Sequence, residues 1–356
     1  GLSNALFSLS NVSVKEYTAA DMDVTRATAG TRVDENGLVN YAEVLGDEEI
    51  TCGDFSCADP NAVWTKNANW TIANNLATSD GSQTGNVSLK QLNSLTNLTT
   101  GTTYKVQFTI SGYVAGVINP HIRGAQSGNV TGDGIKTSYI TAGSGSDGIN
   151  LYSGSTFEGS VSNISVKEVT RDNVPRIDYT GGGCPHILAE PQRTNLIEYS
   201  EDFTQSWWFA NTADVVLSTN LSPDGTQNAY KVTYGTSGNR LGGANFSLPN
   251  TPHTNSIYMR KISGSGVVDF KDQLGGSNTV TLTEDWQRYT ITATLTDGTA
   301  RLYVDLQTLN DVIEVYGAQL EEGSYATSYI PNFGTSAGVT RNQDIFTRDG
   351  IGSLIN

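Results

Sequence analysis

Residues 162–169 read SNISVKEV, and almost the same string, SNVSVKEY, occupies residues 10–17. A looser relative, IEVYGAQLEEG, lies at residues 313–323. Apolar and polar residues alternate in all three strings, which is the pattern of a β-strand with one buried face. Because similar strands return at long intervals along one chain, the strings indicate a repeated β-domain, and they decide the fold class.

Each of the two later strings is preceded by a matching opening segment. GDFSCADPNAVWTKNANWTI at residues 53–72 resembles EDFTQSWWFANTADVVL at residues 201–217, since both begin with Asp-Phe and soon reach tryptophan. Each opening lies about 110 residues before its closing string, a length that suits one sandwich of eight or so strands. The intervals contain further alternating segments, such as TTYKVQFTISGYV (102–114), separated by Gly, Asn and Asp turns.

The sequence therefore predicts an all-β chain with two jelly-roll-like antiparallel β-sandwiches joined by a β-hairpin cassette. The hairpin is expected at Asn36-Gly37, because this dipeptide favours a tight turn between two strands. On this interpretation both ends of the chain continue into neighbouring sequence. The expected segments are the last strand of a preceding domain (1–17), the hairpin cassette (18–45), the first sandwich (46–170), a linking cassette (171–198), the second sandwich (199–331) and the start of a following segment (332–356).

Composition and motifs argue against several function classes. The chain of 356 residues has 21 basic and 36 acidic side chains and a net charge of −15, a field that repels phosphate backbones, so nucleic-acid binding is not expected. No apolar run approaches the roughly 18 residues that span a bilayer, so membrane insertion is not expected. A Gly-x-Ser-x-Gly nucleophile motif and a P-loop are both missing, and the acids form no recognisable catalytic pair. We therefore predict a protein that is not an enzyme.

Four strings resemble phage tail-fibre and related virion appendage proteins. They are TRATAGTRV (25–33), PRIDYTGGGCP (175–185), LAEPQRTNLIEYSEDF (188–203) and YGAQLEEGSYATSYIPNFGTSAGVTRNQD (316–344). The sandwiches between them look like carbohydrate-binding modules. The resemblance implies a homo-oligomer on the virion surface, a trimer for example, that contacts other virion proteins and host surface glycans. Its role would be that of a structural spacer with glycan binding or host adhesion.

Two other functions remain open at this point. The chain is also compatible with an ancillary carbohydrate-binding region of a secreted bacterial polysaccharide-degrading enzyme, whose catalytic domain would lie elsewhere. It is compatible as well with a capsid decoration protein that binds no ligand, since jelly rolls in fibres often serve only as spacers.

Sugar binding requires aromatic side chains on which pyranose rings stack, with polar groups nearby for the hydroxyls. The adjacent tryptophans Trp207 and Trp208 are one candidate pair, because in an extended segment at most one of them can face the core. Other candidates alternate with core positions in predicted strands, and for each the competing interpretation is a core residue or a solvated sheet face. The full set is Trp207, Trp208, Tyr258, Arg260, Tyr113, His121 and Arg123.

Two further features are expected of such sandwiches. Cys52 and Cys57 are five residues apart, a spacing that a loop disulfide can bridge. Jelly rolls of the carbohydrate-binding kind also often hold a structural calcium near their first and last strands, with carboxylate ligands. The acids to inspect are Asp54, Glu168, Asp202 and Glu321, with ordinary solvated carboxylates as the alternative. No other cofactor is expected.

Overall fold

A computed structural model describes residues 23–182, 184–211, 214–235, 239–272, 276–294 and 299–347. The strand predicted at residues 1–17 lies outside this part of the chain. Helix in the described residues is limited to one turn of α-helix, α1 (Pro60–Val63), and one turn of 3-10 helix (Asn93–Leu95). Neither is long or apolar enough to cross a bilayer. The remaining regular structure is β, as the alternating pattern predicts.

The chain begins with three short strands, β1 (Asp23–Thr25), β2 (Thr31–Val33) and β3 (Val39–Tyr41). Strands β2 and β3 pair as a hairpin around Asn36-Gly37. The loop spans residues 34–38, and Asp34 closes it, since its Oδ1 atom accepts hydrogen bonds of 2.9 Å from the backbone N–H groups of Asn36 and Leu38. Gly37 has a φ of +79°, a conformation that glycine adopts without strain.

The first sandwich contains two antiparallel sheets that enclose one apolar core. Its strands are β4 (Val44–Glu48), β5 (Thr65–Lys66), β6 (Trp70–Ala73), β7 (Leu76–Asp80), β8 (Val87–Leu92), β9 (Thr103–Ala115), β10 (Ile118–Ile122), β11 (Ala125–Gln126), β12 (Gly134–Thr141), β13 (Asp147–Ser153) and β14 (Glu158–Thr170). One sheet has the order β11-β10-β13-β8-β5 and the other β12-β9-β14-β7-β6, with β4 beside β14. Tyr104, Val106, Phe108 and Ile110 alternate along β9 and are all buried in the core.

A linking segment follows, with three short strands: β15 (Ile177–Asp178), β16 (His186–Ile187) and β17 (Arg193–Asn195). Strands β15 and β16 pair with each other across the glycine-rich corner that follows Tyr179.

The second sandwich repeats the topology of the first. Its strands are β18 (Phe209–Asn211), β19 (Asp214–Leu217), β20 (Tyr230–Thr233), β21 (Arg240–Gly242), β22 (Phe246–Ser247), β23 (Pro252–Ser263), β24 (Val267–Asp272), β25 (Gly276–Thr281), β26 (Gln287–Thr294), β27 (Thr299–Ala300), β28 (Leu302–Leu306) and β29 (Val312–Glu322). Its sheets have the orders β18-β21-β28-β24-β25 and β19-β20-β29-β23-β26. When β4 and the small β22–β27 sheet are set aside and the other strands are matched in chain order, both sheet orders coincide with those of the first sandwich. The predicted pair of antiparallel jelly-roll sandwiches is thus confirmed.

The two Asp-Phe openings form the same corner in both sandwiches. Phe55 packs on Trp64 with 5.4 Å between ring centroids, and Phe203 packs on Trp208 at 4.7 Å. Each indole N–H donates to a backbone carbonyl just before the phenylalanine, Trp64 to Cys52 at 2.8 Å and Trp208 to Tyr199 at 2.7 Å. The shared sequence therefore encodes a buried corner at the entrance to each sandwich. In the first sandwich this corner also contains a disulfide between Cys52 and Cys57.

Two final strands, β30 (Val339–Arg341) and β31 (Ile345–Thr347), return to the beginning of the chain. Strand β30 pairs with β17, and β31 pairs with β1. Within the described part of residues 332–356, these two strands therefore pair with both predicted cassette segments, 18–45 and 171–198.

A buried ionic network holds these cassette pieces together. The guanidinium groups of Arg26 and Arg176 both bind the Asp344 carboxylate, and Arg176 also binds Glu190 at 2.8 Å. Arg341 completes the network with an ion pair of 2.9 Å to Glu190. The side chains of the three arginines and of Asp344 are 0–1% exposed. Each of the segments 25–33, 175–185, 188–203 and 316–344 contributes at least one charged side chain to this network.

Candidate functional site

The tryptophan pair does not form an exposed platform. Trp208 is buried at the corner described above, where it belongs to the core of the second sandwich. Trp207 is half-buried and packs on Trp208 and on Phe246, with centroid distances of 4.8 and 5.7 Å. Both residues lie in a turn, because the strand begins only at Phe209, so the extended geometry on which the prediction rested does not apply.

Tyr258 and Arg260 share an outer sheet face, as their alternation predicts, but other parts of the chain occupy that face. Tyr258 lies 6.0 Å from Tyr316 and 6.4 Å from Tyr329 between ring centroids. Arg260 is ion-paired with Glu314 at 2.7 Å, and its guanidinium lies over the Trp286 ring. These two side chains therefore serve contacts within the chain.

Two of the three candidates in the first sandwich are also engaged internally. The Tyr113 hydroxyl donates to the carbonyl of Gly116 at 2.9 Å, and the ring packs on Phe157. Arg123 donates from Nε to the carbonyl of Gly143. The third candidate, His121, lies on an open sheet face and is treated below.

The four acids considered for calcium are not brought together. Asp54 and Asp202 each close a turn by accepting from the residue two positions later, which is Ser56 or Thr204. Glu321 is buried and accepts from the backbone and side chain of Thr327, and Glu168 is exposed on β14. Within the residues that the structure describes, no three His, Cys, Asp or Glu side chains form a metal-binding group.

A cavity lies on the outer face of the first five-stranded sheet, around the candidate residue His121. Cross-strand pairing places His121 opposite Asn150 and Asn119 opposite Tyr152, while Gln126 flanks His121 from β11. The alternate residues of these strands, such as Ile122 and Leu151, are buried in the core. We call the set Asn119, His121, Gln126, Asn150 and Tyr152 the first face.

The first face combines an aromatic pair with unused hydrogen-bond acceptors. The rings of His121 and Tyr152 meet edge-on with 4.6 Å between centroids. Asn119 donates to Gln126 at 3.1 Å and Asn150 donates to Ser88 at 3.3 Å. The Oδ1 atoms of both asparagines are buried and accept no hydrogen bond from the described residues. Of these two asparagines, Asn119 lines the cavity described next and Asn150 does not.

A cavity of about 170 Å³ lies on this face, and it carries no net charge. Its lining includes Asn86, Val117 and Asn129 in addition to residues of the first face, and none of the lining side chains is a carboxylate, lysine or arginine. Burial lowers the pKa of His121 below its usual value of 6.5, so the imidazole is neutral at neutral pH. The first face therefore suits an uncharged polar ligand.

The equivalent sheet of the second sandwich has a different outer face. Phe209 and Tyr303 meet edge-on with 5.9 Å between ring centroids, and Arg240 and Arg301 both lie over the Tyr303 ring. Pairing across the sheet places Arg240 opposite Asp305, and Asp305 opposite Asp269. Lys271 lies beside these acids. We call the set Phe209, Arg240, Asp269, Lys271, Arg301, Tyr303 and Asp305 the second face.

Most charges of the second face are paired with one another. Arg240 holds Asp305 through two hydrogen bonds of 2.6 and 2.7 Å. Lys271 binds Asp305 at 3.0 Å and Asp269 at 3.1 Å. A hydrogen bond from Thr279, together with Lys271, holds the pKa of Asp269 below its usual value, so this acid is ionised at neutral pH. The face is thus a fixed array of charges around an aromatic pair.

The carboxyl group with the most strongly raised pKa belongs to neither face. Burial, and then the charge of Asp224, raise the pKa of Glu201 to about 8. Its Oε1 atom accepts from the hydroxyls of Tyr316 and Tyr329, and its Oε2 atom accepts from Asn228. Because these hydrogen bonds occupy both oxygens, Glu201, which is half-buried, has the character of a structural acid.

Sequence reasoning found His121 but missed its partners. Tyr152, Asn119 and Asn150 occupy alternate, outward positions, and the pattern of each strand alone marks those positions as polar. What it does not reveal is that two strands about 30 residues apart lie side by side, since pairing is set by the jelly-roll topology. The second face was missed for the same reason.

No family model matches the chain, and no curated protein matches it. Several solved structures do. A CBM4 structure is 17% identical, with 33% of this chain and 86% of that chain covered and a TM-score of 0.26. The CBM22-1–CBM22-2 tandem domain of Paenibacillus barcinonensis Xyn10C is 9% identical over 79% of this chain and 98% of that chain, with a TM-score of 0.29. A family 11 carbohydrate-binding module from Clostridium thermocellum is 12% identical over 39% of this chain and 100% of that chain, with a TM-score of 0.27.

Proposed function

We propose that this chain is a non-enzymatic glycan-binding and spacer protein of a phage virion appendage, and that the first face binds a neutral sugar. The observation that carries the proposal is the combination of the His121–Tyr152 pair with the side-chain amides that line the same uncharged cavity, those of Asn86, Asn119, Gln126 and Asn129. Aromatic edges and faces contact the apolar side of a pyranose ring, while the amide oxygens accept from its hydroxyls.

The way in which the acids of the two faces are engaged supports a non-catalytic role. Glycoside hydrolysis needs two carboxyl groups across the scissile bond, with one free to donate a proton and the other free to attack or activate water. On the second face Asp305 and Asp269 are both held by cations. The cavity lining of the first face contains no carboxylate.

The virion assignment is supported by the four strings that resemble tail-fibre proteins and by the network that these strings build. A cassette closed by buried ion pairs gives each sandwich a defined attachment point, which a spacer in a fibre needs. Oligomerisation would then raise avidity, since linking weak sites strengthens attachment without new contacts.

Binding is tested with the purified chain on an array of neutral oligosaccharides, followed by calorimetric titration of the best ligand. Tyr152→Ala should weaken binding at least tenfold, because it removes the larger ring of the pair. The matched control is Tyr325→Ala, which removes an exposed tyrosine outside both faces and should leave affinity unchanged. Equal effects of the two variants, or no neutral ligand at all, would contradict glycan binding by the first face and favour a ligand-free spacer.

The virion assignment is tested separately. Mass spectrometry of purified particles from the source should detect the chain, and light scattering of the isolated protein should give a homo-oligomer, with a trimer as the expected state. If the chain is instead found in a secreted polypeptide together with a polysaccharide-degrading domain, the ancillary-module alternative replaces the virion assignment while the binding proposal stands.

A further inference from the structure

We infer that the first face binds the single sugar residue at the non-reducing end of a glycan, which enters the cavity end-on into the space that Gly154 leaves open. The inference rests on the proposed glycan-binding function and deepens it, because it makes the end of a glycan the ligand and excludes the interior of a polysaccharide chain. Its basis is the size of the cavity, the residues that bound it and the number of aromatic rings on the sheet.

The cavity has room for about one sugar ring. Its volume of about 170 Å³ is smaller than the roughly 300–1,000 Å³ of pockets that enclose a drug-sized ligand. A stretch of polysaccharide needs a groove that continues on both sides of each ring, so a small cavity favours a ring with a neighbour on one side only.

The cavity lies at one end of the sheet and does not cross it. Val117 directly precedes β10, Gly154 directly follows β13 and Asn86 directly precedes β8. Because these strands are antiparallel neighbours, the three residues form one row across the end of the sheet. Asn119 and Tyr152, which are paired with each other, occupy the next outward row and also line the cavity.

The depth of the cavity is explained by Gly154. Its position alternates with that of Tyr152 and therefore faces outward, but glycine places no side chain there. A Cβ atom added to Gly154 would approach Cγ2 of Val117 to 2.9 Å. Gly154 does not have a positive φ, so its backbone does not require glycine. The missing side chain therefore serves the space above it.

A folded-back segment forms a wall along the free edge of β10. Residues 125–130 run beside this strand, and Val130 exchanges two backbone hydrogen bonds of 3.0 and 2.8 Å with Ile118. Gln126 pairs with β10 at the other end of the segment. Asn129 lies between these two anchors and lines the cavity. The counterpart in the second sandwich, β25, instead pairs with β24 along all six of its residues.

The walls suit the free hydroxyls of a terminal sugar. Asn129 and Gln126 line the cavity from the edge of the sheet, and Asn86 lines it from the side of β8. Amide side chains both donate and accept hydrogen bonds, as sugar hydroxyls do. A glycan on a surface is attached through its reducing end, so the residue that can enter a walled cavity is the one at the non-reducing end.

The sheet offers one aromatic site for a sugar ring, the His121–Tyr152 pair. The outward positions that flank this pair on β5, β8 and β11 carry no aromatic ring, and they are Thr65, Ser88, Lys90 and Gln126. Lys90 is ion-paired with Asp147 at 3.0 Å. A glycan chain extended across the strands would therefore find no aromatic contact for its second ring at these positions.

The test measures how the affinity of the whole chain depends on glycan length. The probes are the methyl glycosides of galactose, glucose, mannose, fucose and N-acetylglucosamine, followed by di- and hexasaccharides that carry the best of these at the non-reducing end. Titrations followed by NMR should show binding of at least one methyl glycoside, with an affinity within about threefold of that of its hexasaccharide. A hexasaccharide that binds about tenfold or more tightly than the disaccharide would overturn the inference, because a groove gains contacts with length.

Modified hexasaccharides test which end is bound. Addition of one different sugar to the non-reducing end should weaken binding about tenfold, whereas reduction of the other end to an alditol should leave the affinity unchanged. The reverse result would overturn the assignment to the non-reducing end.

Variants test the cavity itself. Gly154→Leu should weaken binding of the methyl glycoside about tenfold or more, because the new side chain fills the cavity. Gly46→Leu adds the same side chain at an exposed strand position outside the cavity and should have no effect. Asn129→Ala should weaken binding about fivefold, with the exposed Asn61→Ala as its control. Unfolding midpoints confirm that each variant is folded, and full affinity in folded Gly154→Leu would refute the site.

The inference and the proposed function fail on different results. If no neutral glycan binds, both are contradicted. If Tyr152→Ala weakens binding but the affinity rises about tenfold with chain length, the first face binds glycans and only the assignment to a terminal residue is refuted.

Discussion

Asp344 is the residue on which the cassette depends most, and its replacement gives the sharpest test of the fold. Its Oδ1 atom binds Arg26 at 2.8 Å, and its Oδ2 atom binds Arg176 and accepts from the backbone N–H of Glu190 at 3.0 Å. Asp344→Ala would leave two fully buried guanidinium groups without this partner. Breaking a buried ion pair by removing one side costs about 3–5 kcal/mol. For a unit of this size that corresponds to a lower unfolding midpoint by roughly 10 °C.

The effect should depend on pH in a defined direction. Burial alone would raise the pKa of Asp344, but hydrogen bonds from Arg176 and Arg26 outweigh it and hold the pKa below the usual value of 3.8. A group with a lowered pKa in the folded state stabilises the protein above its unfolded pKa, and that stabilisation is lost as pH falls through the folded value. The difference between wild type and Asp344→Ala should therefore be full at pH 5–7 and shrink below about pH 4.

Thermal and urea unfolding, followed by circular dichroism and tryptophan fluorescence, measure this effect. Because the chain has two sandwiches, unfolding need not be a single transition, and the midpoint of the transition that includes the cassette is the quantity to compare. Asp285→Ala, which removes an exposed acid, is the matched control and should change stability by less than about 0.5 kcal/mol. If Asp344→Ala behaves like this control at pH 7, the network does not hold the cassette together and the reasoning is wrong.

Three further predictions concern the sandwiches. Trp208→Ala should destabilise the second sandwich by about 3–5 kcal/mol in urea unfolding, because it leaves a cavity in the core. Trp207→Ala should cost clearly less, and equal losses would contradict the burial of Trp208 and the partial exposure of Trp207. Glu201→Gln should flatten the pH dependence of stability between about pH 4.5 and 8 and raise the unfolding midpoint at pH 8. An acid with a raised pKa stabilises the fold below its unfolded pKa, and this stabilisation is lost as pH rises through the folded value of about 8. An unchanged pH profile would refute the raised pKa of Glu201. Reduction of the Cys52–Cys57 disulfide should lower the free energy of unfolding of the first sandwich by about 2 kcal/mol, as expected for a short closed loop. Calorimetry measures this loss, and an unchanged unfolding midpoint would argue against a stabilising role for the disulfide.

Local patterns were sufficient to predict the architecture. The alternation of Tyr104, Val106, Phe108 and Ile110 identifies a strand with one buried face, and the matched Asp-Phe openings show that the pattern occurs twice. These signals are local, since each depends on residues a few positions apart and on the side-chain period of a strand. The sheet topology that the structure adds is the one that such lengths and turns favour.

Local patterns failed where long-range pairing decides the outcome. Arg26 and Asp344 are 318 positions apart, and nothing near either residue indicates that it will be fully buried. An arginine in a polar string has the pattern of a solvated residue, because burial of its charge is favourable only when partners from elsewhere surround it. The extended geometry assumed for Trp207 and Trp208 was wrong for a different reason, since a turn lies at these residues where the alternation rule assumes a strand.

The duplicated topology makes the contrast between the two faces informative. Both five-stranded sheets have the same strand order and turn their outer faces away from equivalent cores, so the fold imposes no difference in charge between them. Yet the first face presents amides and a neutral imidazole, and the second presents an array of guanidinium, ammonium and carboxylate groups. Outward positions of a sheet contribute little to core packing, so their chemistry can change without loss of the fold. A pure spacer would need only solvated side chains at these positions. The amides and the neutral imidazole of the first face are therefore the side chains on which the proposed binding of a neutral sugar rests.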